Sequence, residues 1–374
     1  MRSKGSLKKK FHVCVAFGTR PEVIKLAPVV RAFRAVAGVR VTVLATGQHR
    51  TMMEEAMQVF GLKADVDLRV MKKGQTLFHV TERVLHETGE FLSRQPVDLM
   101  VVQGDTATTF ACALAAFYRR IPVAHVEAGL RTNDKFRPFP EEMNRRMTTA
   151  LADLHFAPTP RAARDLKREG VASSKIFMVG NTVVDALLQI VPSARKKGKT
   201  GVRRKVLVTL HRRESFGEGL RQVLLAVRDI SLFPGVEVVY PVHLNPQVRA
   251  QVQEVLSGGR VILREPMAYD DFLELFRSAD IVVTDSGGIQ EEACTLRKPV
   301  LIARERTERQ EAIEAGFAEL VGFDRKRIVR QARRLLEDRD FYRRRSSGKN
   351  PFGDGKSSAR IVRVCLKMLQ GRKT

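Results

Sequence analysis

Short apolar runs alternate with longer amphipathic ones along most of the chain. FHVCVAF (11–17) predicts a strand, and VIKLAPVVRAFRAV (23–36) follows with helical spacing. VRVTVLAT (39–46), DLMVVQGD (98–105) and IPVAHVEAG (121–129) predict further strands, with an Ala-rich helix, TTFACALAAFYRR, between the last two. The pattern restarts at KVLVTLHRRE (205–214) and continues through VEVVYPVH (236–243), RVILREP (260–266), DIVVTDSGG (280–288) and KPVLIAR (298–304). Strands alternating with helices imply parallel sheets covered by helices on both faces. The fold class is therefore α/β, with two similar halves. SSARIVRVCLKMLQ (357–370) predicts a final helix that stands apart from the last strand.

Length agrees with two domains, since 374 residues divide naturally into units of about 100–200. The four cysteines, Cys14, Cys112, Cys294 and Cys365, are scattered and form no CxxC pair, so neither a zinc site nor a disulfide framework is indicated. Buried thiols in a reducing cytoplasm are expected. The basic stretch before Phe11 is followed by an apolar run that stops at Gly18, without a cleavage-site pattern, so it reads as a tail leading into a strand. No apolar stretch approaches the ~20 residues of a membrane helix. The formal charge of +25 raises nucleic-acid binding as a possibility. Its basic runs, at Lys8–Lys10, 195–205, 324–334 and 342–345, lack interleaved aromatic residues, and the chain has no Trp and four Tyr. Without a stacking platform, weak salt-sensitive association is expected and specific recognition is not.

Ligands of open parallel sheets sit beyond the carboxyl ends of the strands. Those positions carry Gly18, Thr19 and Arg20; Gly47, Gln48 and His49; Gly104 and Asp105; Glu127; His211, Arg212 and Arg213; His243; and Asp285 to Gly288. So many polar strand ends, from both halves, predict a cleft between two domains. In GTRPEVIK, Pro21 suits a helix start and Arg20 precedes it, either as a phosphate ligand or as an exposed loop residue. DSGGIQEEA (285–293) follows a strand and opens a helix, which makes either an anion site or a glycine-capped turn. A carboxylate at Glu291 or Glu292 would repel phosphate, so at least one should meet a sugar hydroxyl pair. Glu141 and Arg145 share a helix face at a spacing of four, which alone is also compatible with a surface ion pair. The first strand ends without GxGxxG, and GKT at 198–200 has Ser193 where a P-loop needs glycine. No metal-ligand spacing such as HExxH occurs.

Taken together, FGTRPEVIKLAPVV, TGQHR, QGDTATTFACALAAFY, PVAHVEAGLRT, PFPEEMNRRM, ADLHFAPT, VGNTVVDAL, VTLHRRESFG, YPVHLNPQV, TDSGGIQEEA, KPVLIARERTERQEA and NPFGDGKSSARIV run in order through nearly the whole chain. They resemble the non-hydrolysing UDP-N-acetylglucosamine 2-epimerases of bacteria. The resemblance implies two Rossmann-like domains in a glycosyltransferase-B-type arrangement, residues 1–180 and 181–356, with the active site between them. It implies a homodimer, and a final helix (357–372) that crosses back onto the first domain. It implies a cytoplasmic enzyme that needs no nicotinamide cofactor or metal and has no membrane partner.

By the same resemblance, catalysis falls on Asp105, Glu127, Glu141, His211 and Arg145. Contacts to the UDP-sugar fall on Arg20, Lys25, Gln48, His243, Phe272, Ser286, Gly287, Gly288, Glu292 and Arg309. Asp105 and Glu127 would be acid/base groups around C2 with Glu141 assisting. His211 and Arg20 would stabilise the leaving diphosphate, and Phe272 would pack on uracil. The chain departs from the family pattern at Leu210, Cys294, Glu305, Arg306 and Gln310, which bears on local loop shape and on the exact sugar. Thr51 and Gly74 stand where longer polar side chains assist a second, activating UDP-sugar in some relatives, which argues against strong activation here. Close rivals are a 2-epimerase of a UDP-2,3-diacetamido uronic acid and a hydrolysing epimerase that releases N-acetylmannosamine.

Overall fold

The computed structural model describes residues 11–47, 50–72, 74–190, 203–211 and 216–372, the side chains of residues 50 and 51 excepted. The chain divides into two compact units, Met1–Ile190 with Gly353–Thr374, and Val191–Phe352.

The first unit carries strands β1 (Phe11–Phe17), β2 (Val39–Ala45), β3 (Val66–Asp67), β4 (Leu99–Gln103), β5 (Val123–Val126), β6 (Leu154–Ala157) and β7 (Ile176–Met178). They pair in parallel in the order β3-β2-β1-β4-β5-β6-β7. Its helices are α1 (Arg20–Arg34), α2 (Arg50–Val59), α3 (Leu77–Arg94), α4 (Ala107–Tyr118), α5 (Glu141–Leu151), α6 (Pro160–Arg168) and α7 (Thr182–Ile190). All seven residues of β1 are buried. That is the signature of a central strand covered on both faces, and it explains why the run reads as continuously apolar and does not alternate. The alanines of α4 lie buried against the neighbouring layer.

The second unit carries β8 (Arg204–Thr209), α8 (Glu218–Ser231), β9 (Val236–Pro241), α9 (Pro246–Leu256), β10 (Ile262–Arg264), α10 (Tyr269–Ser278), β11 (Ile281–Thr284), α11 (Gly287–Leu296), β12 (Val300–Ile302), α12 (Gln310–Glu314), β13 (Ala318–Leu320), α13 (Arg325–Glu337) and α14 (Arg339–Ser346). Its sheet is parallel, in the order β10-β9-β8-β11-β12-β13. Val206, Val208, Tyr240, Ile281 and Val283 from the strands join Leu224, Val227, Ile328 and Leu335 from the helices in one core.

The final helix, α15 (Ser357–Gly371), belongs to the first unit and packs on α1 and α7. The Asp185 carboxylate on α7 accepts the N–H groups of Ser358 at 2.8 Å and Ser357 at 3.2 Å, the orphan donors at the start of α15. Because α7 packs on α1, residues 182–190 close the first unit and do not open the second. The segment near Pro192–Lys205, read from sequence as a surface loop, lies outside the described residues up to residue 202.

The two ends of each sheet are built differently. Just before or beside the amino ends of strands, an aspartate recurs and accepts a backbone N–H from the adjoining strand. Asp98 takes His12 at 2.7 Å, Asp65 takes Val43 at 2.8 Å, Asp153 takes Val123 at 3.0 Å, and Asp280 takes Lys205 at 2.8 Å. These charge-assisted bonds fix strand register from one edge. The carboxyl edges are left to other side chains. In both sheets the strand order reverses at the centre, between β1 and β4 and between β8 and β11. Such switch points open a crevice for ligands.

Candidate active site

At the switch point of the first unit, α1 starts directly after β1. Thr19 is its N-cap and Glu22 occupies the third position. The Glu22 carboxylate accepts the N–H groups of Gly18 (3.0 Å) and Thr19 (2.8 Å) and the hydroxyls of Thr106 (2.7 Å) and Thr109 (3.1 Å). Glu22 therefore ties the turn after β1 to the turn after β4, a role beyond complementing the helix dipole. Arg20 is half-buried and is the first residue of the helix, one position later in the turn than the sequence indicates.

Glu127 follows β5 and holds φ at +62°, the left-handed region that a side chain with Cβ rarely adopts. Lys25 Nζ donates to its Oε1 at 2.5 Å, Asn181 Nδ2 to the same oxygen at 3.4 Å, and Gln103 Nε2 to Oε2. Lys25, expected to contact UDP, is thus spoken for by the carboxylate expected to act at C2. Asp105, after β4, accepts from Arg145 Nη2 at 2.5 Å, and Asn144 Nδ2 donates to the Asp105 carbonyl at 3.0 Å. Arg145 also lies 3.5 Å from Glu142. Its side chain is buried, which gives the more accessible Asp105 a fixed cationic support. Glu141 is half-buried as the first residue of α5, about one helical turn before Asn144 and Arg145.

The loop after β4 has a second anchor. His125 Nε2 donates to the Gly104 carbonyl at 2.8 Å. Burial, with smaller contributions from His155, Arg131 and Arg145, lowers its pKa to about 3. The ring is therefore neutral at physiological pH and acts as a hydrogen-bonding brace.

In the second unit, His211 follows β8. Its backbone N–H donates to the buried Asp285 carboxylate at 2.9 Å, its Nδ1 lies 3.4 Å from the same group, and its ring stacks on His243 with centroids 5.5 Å apart. His243 is exposed and its Nδ1 accepts the Asn245 N–H at 3.2 Å. Ser286 is the N-cap of α11, which opens with Gly287 and Gly288. A Cβ on Gly287 would lie 3.4 Å from the Arg309 guanidinium carbon, whereas one on Gly288 would meet nothing within 4 Å. Arg309 Nε donates to Glu291 at 2.8 Å, and Tyr269 OH donates to Glu292 at 3.1 Å. The two glutamates are thereby distinguished: Glu291 is neutralised by Arg309 beside the helix start. Glu292 is paired with a hydroxyl and suits a sugar hydroxyl pair. Phe272, in the first turn of α10, meets Phe276 edge-on at 5.8 Å. The departure at Gln310 has a local compensation, since its Nε2 donates to the Thr307 carbonyl at 2.8 Å and closes the turn before α12.

The structure brings Arg20, Lys25, Asp105, Glu127, Glu141 and Arg145 to the first unit, and His211, His243, Phe272, Ser286, Gly287, Gly288, Glu292 and Arg309 to the second. Gln48 lies outside the described residues, as do His49, Arg212 and Arg213. Sequence reading missed Gln103 and Asn181. The available signals were a polar residue ending an apolar strand in VVQGD and an Asn directly before the helical pattern in VGNTVVDAL. Among the described residues, no group of His, Cys, Asp and Glu is arranged to hold a metal, and no helix is long and apolar enough to cross a membrane.

A family model described as UDP-N-acetylglucosamine 2-epimerase matches residues 31–366. A Ralstonia solanacearum protein named as a probable UDP-N-acetylglucosamine 2-epimerase is 47% identical over 370 residues, covering 94% of this chain and 98% of its own. The UDP-N-acetylglucosamine 2-epimerase of Escherichia coli K12 is 45% identical over 364 residues, covering 94% and 97%. The crystal structure of the Neisseria meningitidis UDP-GlcNAc 2-epimerase bound to UDP-GlcNAc superposes with a TM-score of 0.89 at 40% identity, covering 95% of this chain and 100% of that one.

Proposed function

From the premise that this chain belongs to the UDP-N-acetylglucosamine 2-epimerase family, and so is an isomerase acting at C2 of UDP-N-acetylglucosamine, we propose how its two residue sets divide the work. Each set serves the same UDP-sugar in this reading. The first set handles the proton at C2, and the second binds UDP. The observation that carries this reading is the contrast between them. The first unit presents two carboxylates, each supported by its own cation, and the second presents a glycine-lined helix start with Arg309 beside it.

No carbonyl acidifies the C2 proton, so direct removal would be slow. The route proposed is elimination. A carboxylate takes the C2 proton, the C1–O bond breaks with its electron pair leaving on UDP, and a C1–C2 double bond forms. The 2-acetamidoglucal is then protonated at C2 from the opposite face while UDP adds back to C1. No net oxidation occurs, so no redox cofactor enters the balance. Asp105 and Glu127 serve as the acid/base pair, with Glu141 assisting. The departing diphosphate is stabilised by the start of α11, Arg309, Arg20 and His211. Phe272 packs on uracil, Glu292 meets the ribose, and His243 and Gln48 complete the UDP-sugar contacts. Lys25 acts through Glu127, on whose oxygen it lies.

The chain works as a cytoplasmic homodimer in this reading. The support for self-association is a pair of exposed rings at the end of α4, Phe117 at 54% and Tyr118 at 66%, beside a groove between α3 and α4 that Leu85, Ala115, Glu90 and Arg119 help to line. The support for a reducing compartment is that all four cysteines are buried and unbridged. Specific nucleic-acid recognition is disfavoured because rings near the basic runs are covered by arginines. Arg334 lies 3.9 Å over Phe341 and Arg204 lies 5.6 Å over Tyr342.

Incubation with UDP-N-acetylglucosamine in deuterated water, followed by proton NMR, tests the proposal. Deuterium entering C2 with UDP-N-acetylmannosamine appearing and no free sugar is expected. Accumulation of free N-acetylmannosamine and UDP as the main products would replace this route by a hydrolysing one.

A further inference from the structure

A base that takes a proton must change one of its oxygens from acceptor to donor, and the neighbour of that oxygen must be able to follow. The two oxygens of Glu127 differ in this respect. Oε1 faces Lys25 Nζ at 2.5 Å and Asn181 Nδ2 at 3.4 Å. An ammonium group only donates, so a proton arriving on Oε1 would be set against it. Oε2 faces the primary amide of Gln103, which has a donating end and an accepting end.

Gln103 is buried at the end of β4, and its Nε2 donates to Glu127 Oε2. Its own Oε1 is buried and has no hydrogen-bond partner among the described residues. A half-turn about the last side-chain torsion exchanges the two ends of the amide, and that torsion is soft and roughly two-fold. Because Oε1 has no partner to give up, the turn breaks only the bond to Glu127, and it replaces that bond with one of opposite sense.

We propose that Gln103 is a positioning residue that follows the charge of Glu127 through the reaction. It donates to the carboxylate while the base is empty and accepts from the carboxylic acid once the C2 proton has arrived. The transferred proton therefore resides on Oε2, while Lys25 and Asn181 hold Oε1 and keep the group in place. In the step itself the C2–H bond breaks, its electron pair forms the C1–C2 double bond as UDP departs, and the proton ends between Glu127 Oε2 and Gln103 Oε1. The left-handed backbone at Glu127 fixes how the carboxylate leaves the strand, so the amide has one oxygen to serve. This inference rests on Glu127 acting at C2 and adds to that reading the oxygen used and the group that tracks it.

Two variants and one control test it. Gln103→Met keeps the length of the side chain and removes both polar ends. Its kcat should fall about ten- to a hundredfold, the size of one or two lost hydrogen bonds, with KM within about twofold. The C2-deuterium isotope effect on kcat should be at least as large as the parent's. An isotope effect is read per turnover, so a partly misfolded preparation does not alter it. Gln103→Glu places a second carboxyl beside Glu127, and two close carboxyls bind one proton more readily than either alone. The ratio of its kcat to the parent's should rise as pH falls, because the shared proton restores a donor. A Gln103→Met enzyme with parental kcat, an isotope effect smaller than the parent's, or a pH-independent ratio for Gln103→Glu would each overturn the proposal. Glu127→Gln, measured alongside, separates the two levels. Normal turnover there removes Glu127 from the chemistry and this inference with it, whereas loss of turnover there with a normal Gln103→Met enzyme overturns this inference alone.

Discussion

Lys25 and Glu127 lie 102 residues apart in the chain and form an ion pair at 2.5 Å, with side chains 9% and 5% exposed. The pair joins the second turn of α1 to the residue after β5, across β4 in the sheet. Removing one member of a buried pair leaves the other charge without compensation, which costs about 3–5 kcal/mol. Lys25→Met should lower unfolding free energy by that order in urea titrations. Adding Glu127→Gln to it should recover a large part of the loss. A double variant no more stable than Lys25→Met would mean the pair is not the source of the effect.

Gly288→Ala separates ligand approach from folding. The new Cβ enters open space, and alanine favours a helix more than glycine does. The melting temperature should stay constant or rise slightly, while UDP affinity measured by calorimetry should fall about tenfold or more, equivalent to about 1.4 kcal/mol. Parental affinity would remove the start of α11 from the diphosphate site.

Acidification should destabilise the first unit through two buried histidines. Burial lowers the His125 pKa to about 3 and the His155 pKa to about 4, from an ordinary value of 6.5. The unfolded chain therefore takes up protons first as pH drops. Stability from these groups is complete above about pH 6.5 and declines toward about pH 3–4, at about 1.4 kcal/mol per unit for each histidine. Urea midpoints at pH 7 and pH 5 read this directly. In His125→Gln the slope over that interval should shrink by one proton's worth, and an unchanged slope contradicts the assignment.

Tyr118→Glu should yield monomers if the α3–α4 groove joins two copies, because it replaces an exposed ring with a second carboxylate beside Glu90. Sedimentation equilibrium of parent and variant decides it. A parent that is itself monomeric, or a variant that still pairs, places the interface elsewhere.

The sequence carried the β-α-β alternation in both halves because central strands such as Phe11–Phe17 are buried on both faces and read as unbroken apolar runs. It carried less of the short elements. Val66–Asp67 and Ala318–Leu320 are two and three residues long, below the length at which a pattern becomes visible. Strand-end positions pointed to Asp105, Glu127, His211 and the glycines of α11, since the topology brings those positions to one edge of each sheet. Pairings were less legible. Nothing local in the chain says that Lys25 reaches Glu127, that Arg145 reaches Asp105 over 40 residues, or that Gln103 and Asn181 converge on one carboxylate. Those facts depend on strand order and register, which sequence spacing does not encode.

The anchoring of α15 by Asp185 also orders events during synthesis. The first unit owns both the earliest and the last stretches of the chain, with the second unit inserted between Ile190 and Gly353. A nascent chain emerges from its amino end, and domains fold as they become complete. The second unit can therefore finish its sheet while the first, begun earlier, still lacks the helix that covers α1 and α7. The unit that starts first finishes last, and any truncated product that ends before Ser357 leaves the ribosome with a complete insert in an unfinished host.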